Sequence, residues 1–295
     1  MSESMMDREV LKARGISEEK YNEELRRLKV GFPWLRIEGA ATVGNGILRL
    51  DPEQRAEYVK VWDEYRDQGA KVVKMVPASG AASRMFKAVF AYAGGGDMTD
   101  FMQQFMDGVH RFAFYPELDA ACQRLYGKSV DQLIADGEQR KVAQALIYPE
   151  GLNYGQLPKA LLLFHSYDGG ARTALEEHMA EGAQYAACSD GSVHLHFTVS
   201  EDHIPLFKQR IAEALPAMER EFGKKYDISL SVQKPSTDTV ALGPDGKVFR
   251  QDGKLFFRPG GHGALIENLA EIDGDVIFIK NVDNVVPDTL RASTV

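Results

Sequence analysis

Cysteine is scarce: only Cys122 and Cys188 occur in 295 residues, with no redox or metal spacing between them. A disulfide framework and a cysteine-built zinc site are both excluded, and the two read as unpaired thiols of a reducing cytoplasm. No apolar run approaches the length of a membrane-spanning helix. The opening residues MSESMMDREVLKARG are charged and lack the apolar centre of a signal peptide. A cytoplasmic protein without a membrane partner is expected. Positive charge is also short. Thirty-five Lys and Arg face 43 Asp and Glu, a net charge of −8, which argues against a broad nucleic-acid surface. An acidic chain that handles phosphates must use local basic groups or a metal ion. Internal repeats and low-complexity linkers are lacking as well.

What is present is a globular composition, with 44% hydrophobic and 26% charged residues, and length for one large or two ordinary domains. One stretch organises the rest: Lys71 to Lys87, KVVKMVPASGAASRMFK. Val72 to Val76 reads as a buried strand. Pro77 to Ser83 is a loop of small residues, with Ser79, Gly80, Ala81 and Ala82 at its centre. Arg84 and Lys87 follow as a helical pattern begins. Strand, small-residue turn and helix start together offer backbone N–H groups and a positive dipole end to a phosphate. Arg84 and Lys87 add mobile positive charge. A tight turn used only for packing accounts for the same residues. The stretch is neither a Walker loop nor a GxGxxG turn.

Residues 1–69 read as an N-terminal helical extension. Helical spacing appears at Tyr21, Leu25 and Leu28, and again at Tyr58, Val59, Trp62 and Tyr65. Residues 70–295 read as an α/β domain with a helical insertion over about 88–154. There Phe101, Met102, Phe105, Met106, Val109 and Phe112 form an apolar stripe, which serves either as helix-packing core or as a lid over a site. From Gly155 strands and helices alternate. Ala160–Phe164 reads as a buried strand, 171–185 as an amphipathic helix, 193–199 as a strand, 203–222 as a long helix, 227–233 and 276–279 as strands, and 240–257 as hairpins. The fold class expected is α/β: a Rossmann-like, mainly parallel mixed sheet with helices on both faces. His194 and His196 share a strand face; with no third ligand in reach by spacing, half-buried strand histidines are preferred to a metal pair. His165 to Asp168 lacks the elbow of a catalytic triad.

In such sheets ligands sit at the carboxyl ends of the strands. The clusters expected there are the small-residue loop, Gly155–Lys159, Asn281–Asn284 and the glycine-rich Arg258–Gly263. In order along the chain, PASGAASRMFK, LPKALLLF, Ser231-Val232-Gln233, GPDGK, RPGGHG and NVDN resemble the motifs of sugar-nucleotide pyrophosphorylases, in particular their UDP-sugar branch, with its GT-A-type sheet. The resemblance covers residues 70 to 288. It implies a nucleotidyltransferase that joins a nucleoside triphosphate such as UTP to a sugar 1-phosphate with Mg²⁺. It also implies roles. Gly80, Ala81 and Arg84 cradle the phosphates, and Arg84 stabilises the pyrophosphate leaving group. Lys159 holds the sugar phosphate or the reacting α-phosphate. Gln233, Gly260 and Gly261 meet the base, and Asp283 holds Mg²⁺. His262, among glycines, touches base or phosphate or only shapes the turn. The chain departs from the family in carrying Ala-Ala-Ser where Gly-Thr is usual, and in stopping at Val295, before the strands that form the sugar pocket; a truncated chain is the expectation. A nucleotide- or sugar-nucleotide-binding protein without transfer is the alternative reading. The whole chain also resembles a bacterial family known only as a domain of unknown function.

Overall fold

Each of the molecule's two units is built from two stretches of chain. The computed structural model describes residues 3–80 and 82–295, except for the side chains of residues 3–5, Ser83, His262 and Ser293. Residues up to Gly69 form the first unit together with Gln233–Asp273. Residues Ala70–Val232 and Gly274–Val295 form the second.

The first unit holds helices α1 (Glu3–Ala13), α2 (Glu18–Val30) and α3 (Pro52–Asp67). Ser17 caps α2 through its side chain, and Asp51 and Gln54 cap α3 reciprocally. Short strand pairs come from the stretch expected to form hairpins. Thr239–Val240 pairs with Phe257–Arg258, and Arg250–Gln251 with Lys254–Leu255. The second of these turns on Asp252 and Gly253, both at positive φ (51° and 76°), as a two-residue hairpin requires. Arg250 pairs with Asp7 at 2.6 Å and Arg14 with Asp238 at 2.6 Å, so α1 and its following turn are tied to this stretch. Alternation of sequence pattern alone assigns 233–273 to the sheet domain; by contact it groups with the N-terminal residues.

The second unit is organised by β1 (Val72–Pro77), every residue of which is buried. A run that is apolar except for Lys74, and buried on both faces, suits the centre of a parallel sheet. Helices α4 (Lys87–Ala93), α5 (Asp100–Asp107), α6 (Tyr115–Tyr126), α7 (Val130–Ala135) and α8 (Gln139–Ile147) then pack around Met102, Met106, Val109, Leu118, Leu133 and Leu146. The apolar run at 160–164 does not join the main sheet. It is split between a 3-10 turn (Lys159–Leu161) and β2 (Leu163–Tyr167), which pairs antiparallel with β3 (Gly170–Thr173). Helix α9 (Ala174–Tyr185), strand β4 (Ser192–Val199), helix α10 (Ile204–Phe222) and strands β5 (Lys225–Val232) and β6 (Val276–Ile279) follow.

The sheet order is β6-β1-β4-β5, and all its pairs are parallel. Val193, Leu195, Phe197 and Val199 of β4 pack on α9 and α10, so both crossover helices cover the same face. On the opposite face β4 and β5 carry a polar row in which His194 meets Asp227 at 3.1 Å and His196 meets Ser229 and Ser231, each at 2.8 Å. Gly182 lets α9 approach the sheet closely, because a Cβ there would lie 2.9 Å from Leu195 Cδ2. The chain runs from β1 outward to β4 and β5, and its last strand returns to the other side of β1. Order reversal of this kind opens a crevice at the carboxyl ends of the strands.

Candidate functional site

The loop after β1 is pinned to its neighbours at the carboxyl edge of the sheet. The Ala78 N–H donates to Thr198 O at 2.8 Å, and the Ser200 hydroxyl donates to Ser79 O at 3.2 Å. The Lys159 N–H donates to Gly80 O, and the Ala82 N–H to Leu157 O, both at 3.3 Å. From the far side, Lys159 Nζ reaches Asp283 Oδ2 at 2.5 Å, just beyond the end of β6. Gly80, Lys159 and Asp283, far apart in the chain, therefore meet at one edge. Arg84 and Lys87 are exposed, and neither is ion-paired with a described residue. A 3-10 turn, Ala82–Arg84, stands between the loop and α4, whose first residue is Lys87. The loop thus does not run straight into a helix N-terminus. Ala81 lies outside the described residues.

Gln233, Gly260, Gly261 and His262 belong to the other unit. Gln233 Nε2 donates to Gly260 O at 3.2 Å, and Gly260 is packed so closely that a Cβ would lie 2.8 Å from Thr237 O. Gly261 has open space beside it. The backbone of His262 starts a 3-10 turn.

Beneath the carboxyl edge lies a buried charge network supplied by α9. Residues 174–183 are all buried, although Glu176, Glu177, His178 and Glu181 had the look of a solvent face. Glu181 accepts Lys280 Nζ at 2.9 Å on both oxygens and Lys74 Nζ at 3.0 Å. Burial pushes the Lys74 amine down to about 7, against the pull of Glu181. Burial alone would raise the Glu181 carboxyl; Lys74 and Lys280 hold it below its usual range. His178 Nε2 sits 3.1 Å from Val282 O, and since a carbonyl only accepts, Nε2 carries the hydrogen. Burial and Lys74 keep this imidazole neutral by holding its pKa well below the usual value. Val282 is the residue before Asp283, so α9 holds the backbone that presents the Lys159 partner.

A second buried carboxylate, Glu177, gathers Tyr167 OH at 2.5 Å, Arg291 at 2.6 Å and His165 Nδ1 at 2.9 Å. Burial and the bond to Glu177 push the Tyr167 phenol up to about 12. Arg172, beside it, pairs with Asp288 at 3.0 Å and with Glu221.

The family model described as a domain of unknown function (DUF4301) matches residues 4–295. The chain belongs to the DUF4301 family. No curated protein and no solved structure matches it.

Sequence reasoning missed the buried network of this DUF4301 chain. Its one available signal was Lys74: a lysine inside a continuous apolar strand needs a buried partner. As a Mg²⁺ site the edge fits poorly. It offers one carboxylate, Asp283, already in contact with an ammonium group. Among the described residues no group of three or more His, Cys, Asp or Glu is arranged to hold a metal. No helix among them is long and apolar enough to cross a membrane.

Proposed function

We propose that this DUF4301 chain binds a nucleotide or sugar nucleotide by its phosphates at the carboxyl edge of a Rossmann-like sheet. The reaction that follows is nucleotidyl transfer to a sugar 1-phosphate. The observation that carries the reading is the meeting of Gly80, Lys159 and Asp283 beside the strand-order reversal. Sequence order alone does not demand that meeting. A phosphate-handling edge asks for it.

In the transfer, an oxygen of the sugar phosphate attacks the α-phosphorus. One P–O bond forms, the bridging P–O bond to the β-phosphorus breaks, and pyrophosphate leaves with the electron pair. The attacking oxygen is already anionic, so no protein base is required. The work is positioning and charge neutralisation. Lys159, drawn from Asp283 to the incoming anion, would neutralise the reacting phosphate. Arg84 and Lys87 would take the pyrophosphate. The resemblance implies Mg²⁺, but Asp283, already in contact with the Lys159 ammonium, makes a poor donor set for it.

Binding without transfer is the second reading. It is favoured by the Ala78 and Ala82 N–H groups, which are spent on Thr198 and Leu157 rather than aimed at a ligand. A thermal-shift screen with UTP, other nucleoside triphosphates and UDP-sugars, with and without Mg²⁺, tests both. Ligand at a hundredfold over its Kd stabilises by about 2.7 kcal/mol, a shift that Arg84→Ala and Lys159→Ala should abolish. Pyrophosphate release on adding sugar 1-phosphates separates transfer from binding. No shift with any nucleotide would remove the phosphate reading.

A further inference from the structure

An apolar cavity of 270 Å³ adjoins the phosphate edge, between α4, α5 and the start of β2. Its wall is aromatic: Phe105 stacks on Phe112 at 5.1 Å, and Phe112 on Phe114 at 4.9 Å. The hydroxyl of Tyr154, also in the wall, is already engaged by the Leu163 N–H at 3.3 Å. Apart from that one hydroxyl the lining side chains are apolar, so the wall offers an occupant almost nothing polar. Met85, Phe101 and Phe112 line it while remaining 44%, 55% and 38% exposed. The volume is nearly twice the roughly 150 Å³ that benzene fills in an engineered core cavity.

The same two segments furnish this cavity and the cationic edge. Arg84 and Lys87 bracket Met85 and Phe86, which line it, and Leu162 to Phe164, also in its wall, begin three residues after Lys159. We infer that the same edge also binds an alkyl or aryl phosphate, in competition with the nucleotide, whose hydrocarbon enters this cavity while its phosphate faces Arg84 and Lys87. This rests on the phosphate reading above. A nucleobase is the wrong occupant here, because its donors and acceptors would be desolvated against a wall without partners. Part of the Phe/Met stripe over residues 101–112 thereby gains a role: Met102 and Met106 serve the core, Phe105 serves both core and cavity, and Phe101 and Phe112 face the cavity.

The test is titration calorimetry of the full chain with n-alkyl phosphates from butyl to decyl, kept below micelle formation. The matching alkanols and inorganic phosphate run alongside. Affinity should rise about fourfold per methylene, the equivalent of about 0.8 kcal/mol per buried CH₂, and level off once the cavity is full. Phe101→Asp, at a mostly exposed position, should flatten that slope without changing the melting temperature; Met85→Asp should repeat the result. Arg84→Ala should weaken every alkyl phosphate about tenfold and leave alkanols untouched. Alkanols binding as tightly as their phosphates would overturn the proposal alone; absence of binding by alkyl phosphates, inorganic phosphate and UTP alike would overturn it together with the phosphate reading. Arg84-dependent binding of inorganic phosphate or UTP, with no dependence on chain length for the alkyl series, would overturn the proposal alone. A lipid headgroup is the other source of such a phosphate. Co-sedimentation with phosphatidic acid vesicles, without binding of soluble alkyl phosphates, would overturn the proposal in favour of a membrane surface.

Discussion

Glu181 is the carboxylate on which the buried Lys74 and the partly buried Lys280 both depend, and removing its charge makes a demanding test. In Glu181→Gln the side chain keeps its shape, but Lys74, wholly buried on the central strand, loses its counter-charge. Lys280 is 17% exposed and can turn to water, whereas Lys74 cannot. Breaking a buried pair from one side costs about 3–5 kcal/mol. Lys74→Met is the reciprocal change. It removes the stranded cation and leaves Glu181 with Lys280, so its cost should stay within about 1.5 kcal/mol. The two differ further in pH dependence. Lys74 is depressed to about 7 in the folded protein, against about 10.4 in an unfolded chain. Between those values the unfolded state holds the proton and the folded state does not. Stability from this group therefore rises as pH rises from 7 towards 10, by at most about 1.4 kcal/mol per unit. Below pH 7 both states are protonated, and the cost of the buried ammonium is present in full. Loss of Glu181 should hurt most at pH 6 and less at pH 9, where Lys74 is neutral. Lys74→Met should abolish that slope. Urea unfolding followed by circular dichroism suits the measurement, since Trp34 and Trp62 both lie in the other unit and their fluorescence would report on it instead. If Lys74→Met is the more damaging variant, or Glu181→Gln is insensitive to pH, the account of this network is refuted.

Three further outcomes are expected. Arg291→Met leaves Glu177 buried without its strongest cation and should cost about 3–5 kcal/mol in urea unfolding; Glu177→Gln in the same background should recover part of that loss. Gly182→Ala places a methyl 2.9 Å from Leu195 and should lower stability by about 1–3 kcal/mol, with the greatest loss of amide protection in α9 and β4 by hydrogen exchange. Asp283→Asn breaks a partly exposed ion pair with Lys159, so stability should fall by no more than about 1 kcal/mol while the nucleotide-induced thermal shift changes clearly; a large stability loss with no ligand effect would make the pair structural.

The strand at Val72–Val76 and its small-residue loop were readable because a short run, apolar but for Lys74, followed by Pro, Ala, Ser and Gly has few other uses. The helical insertion was readable for a similar reason, through the apolar spacing of Phe101, Met102, Phe105 and Met106. Ala160 to Phe164 misled. An apolar run does not say which strand it pairs with, and this one spends its apolar faces on a hairpin and the helical core. Helix α9 misled for a different reason. Glu177, His178 and Glu181 look like a wet face, and only their partners at positions 74, 165, 280, 282 and 291 make that face an interior. Those partners are distant in sequence, and no local pattern encodes them. The carboxyl-edge cluster is intermediate. Each of its segments stands at a recognisable strand end or loop, but the bond from Lys159 to Asp283 exists only once the sheet has formed.

The position of β6 at the end of the chain has a consequence for how the protein is made. Lys71 N–H waits for Asp275 Oδ2 across 204 residues, and beside it β1 pairs with β6. At about 5–20 residues per second on the ribosome, one edge of a wholly buried, mostly apolar strand stays open for roughly ten to forty seconds. Throughout that interval the segment most apt to pair with a stranger is the one on which the sheet will be centred. The second stretch of the other unit must also be synthesised before that edge can close.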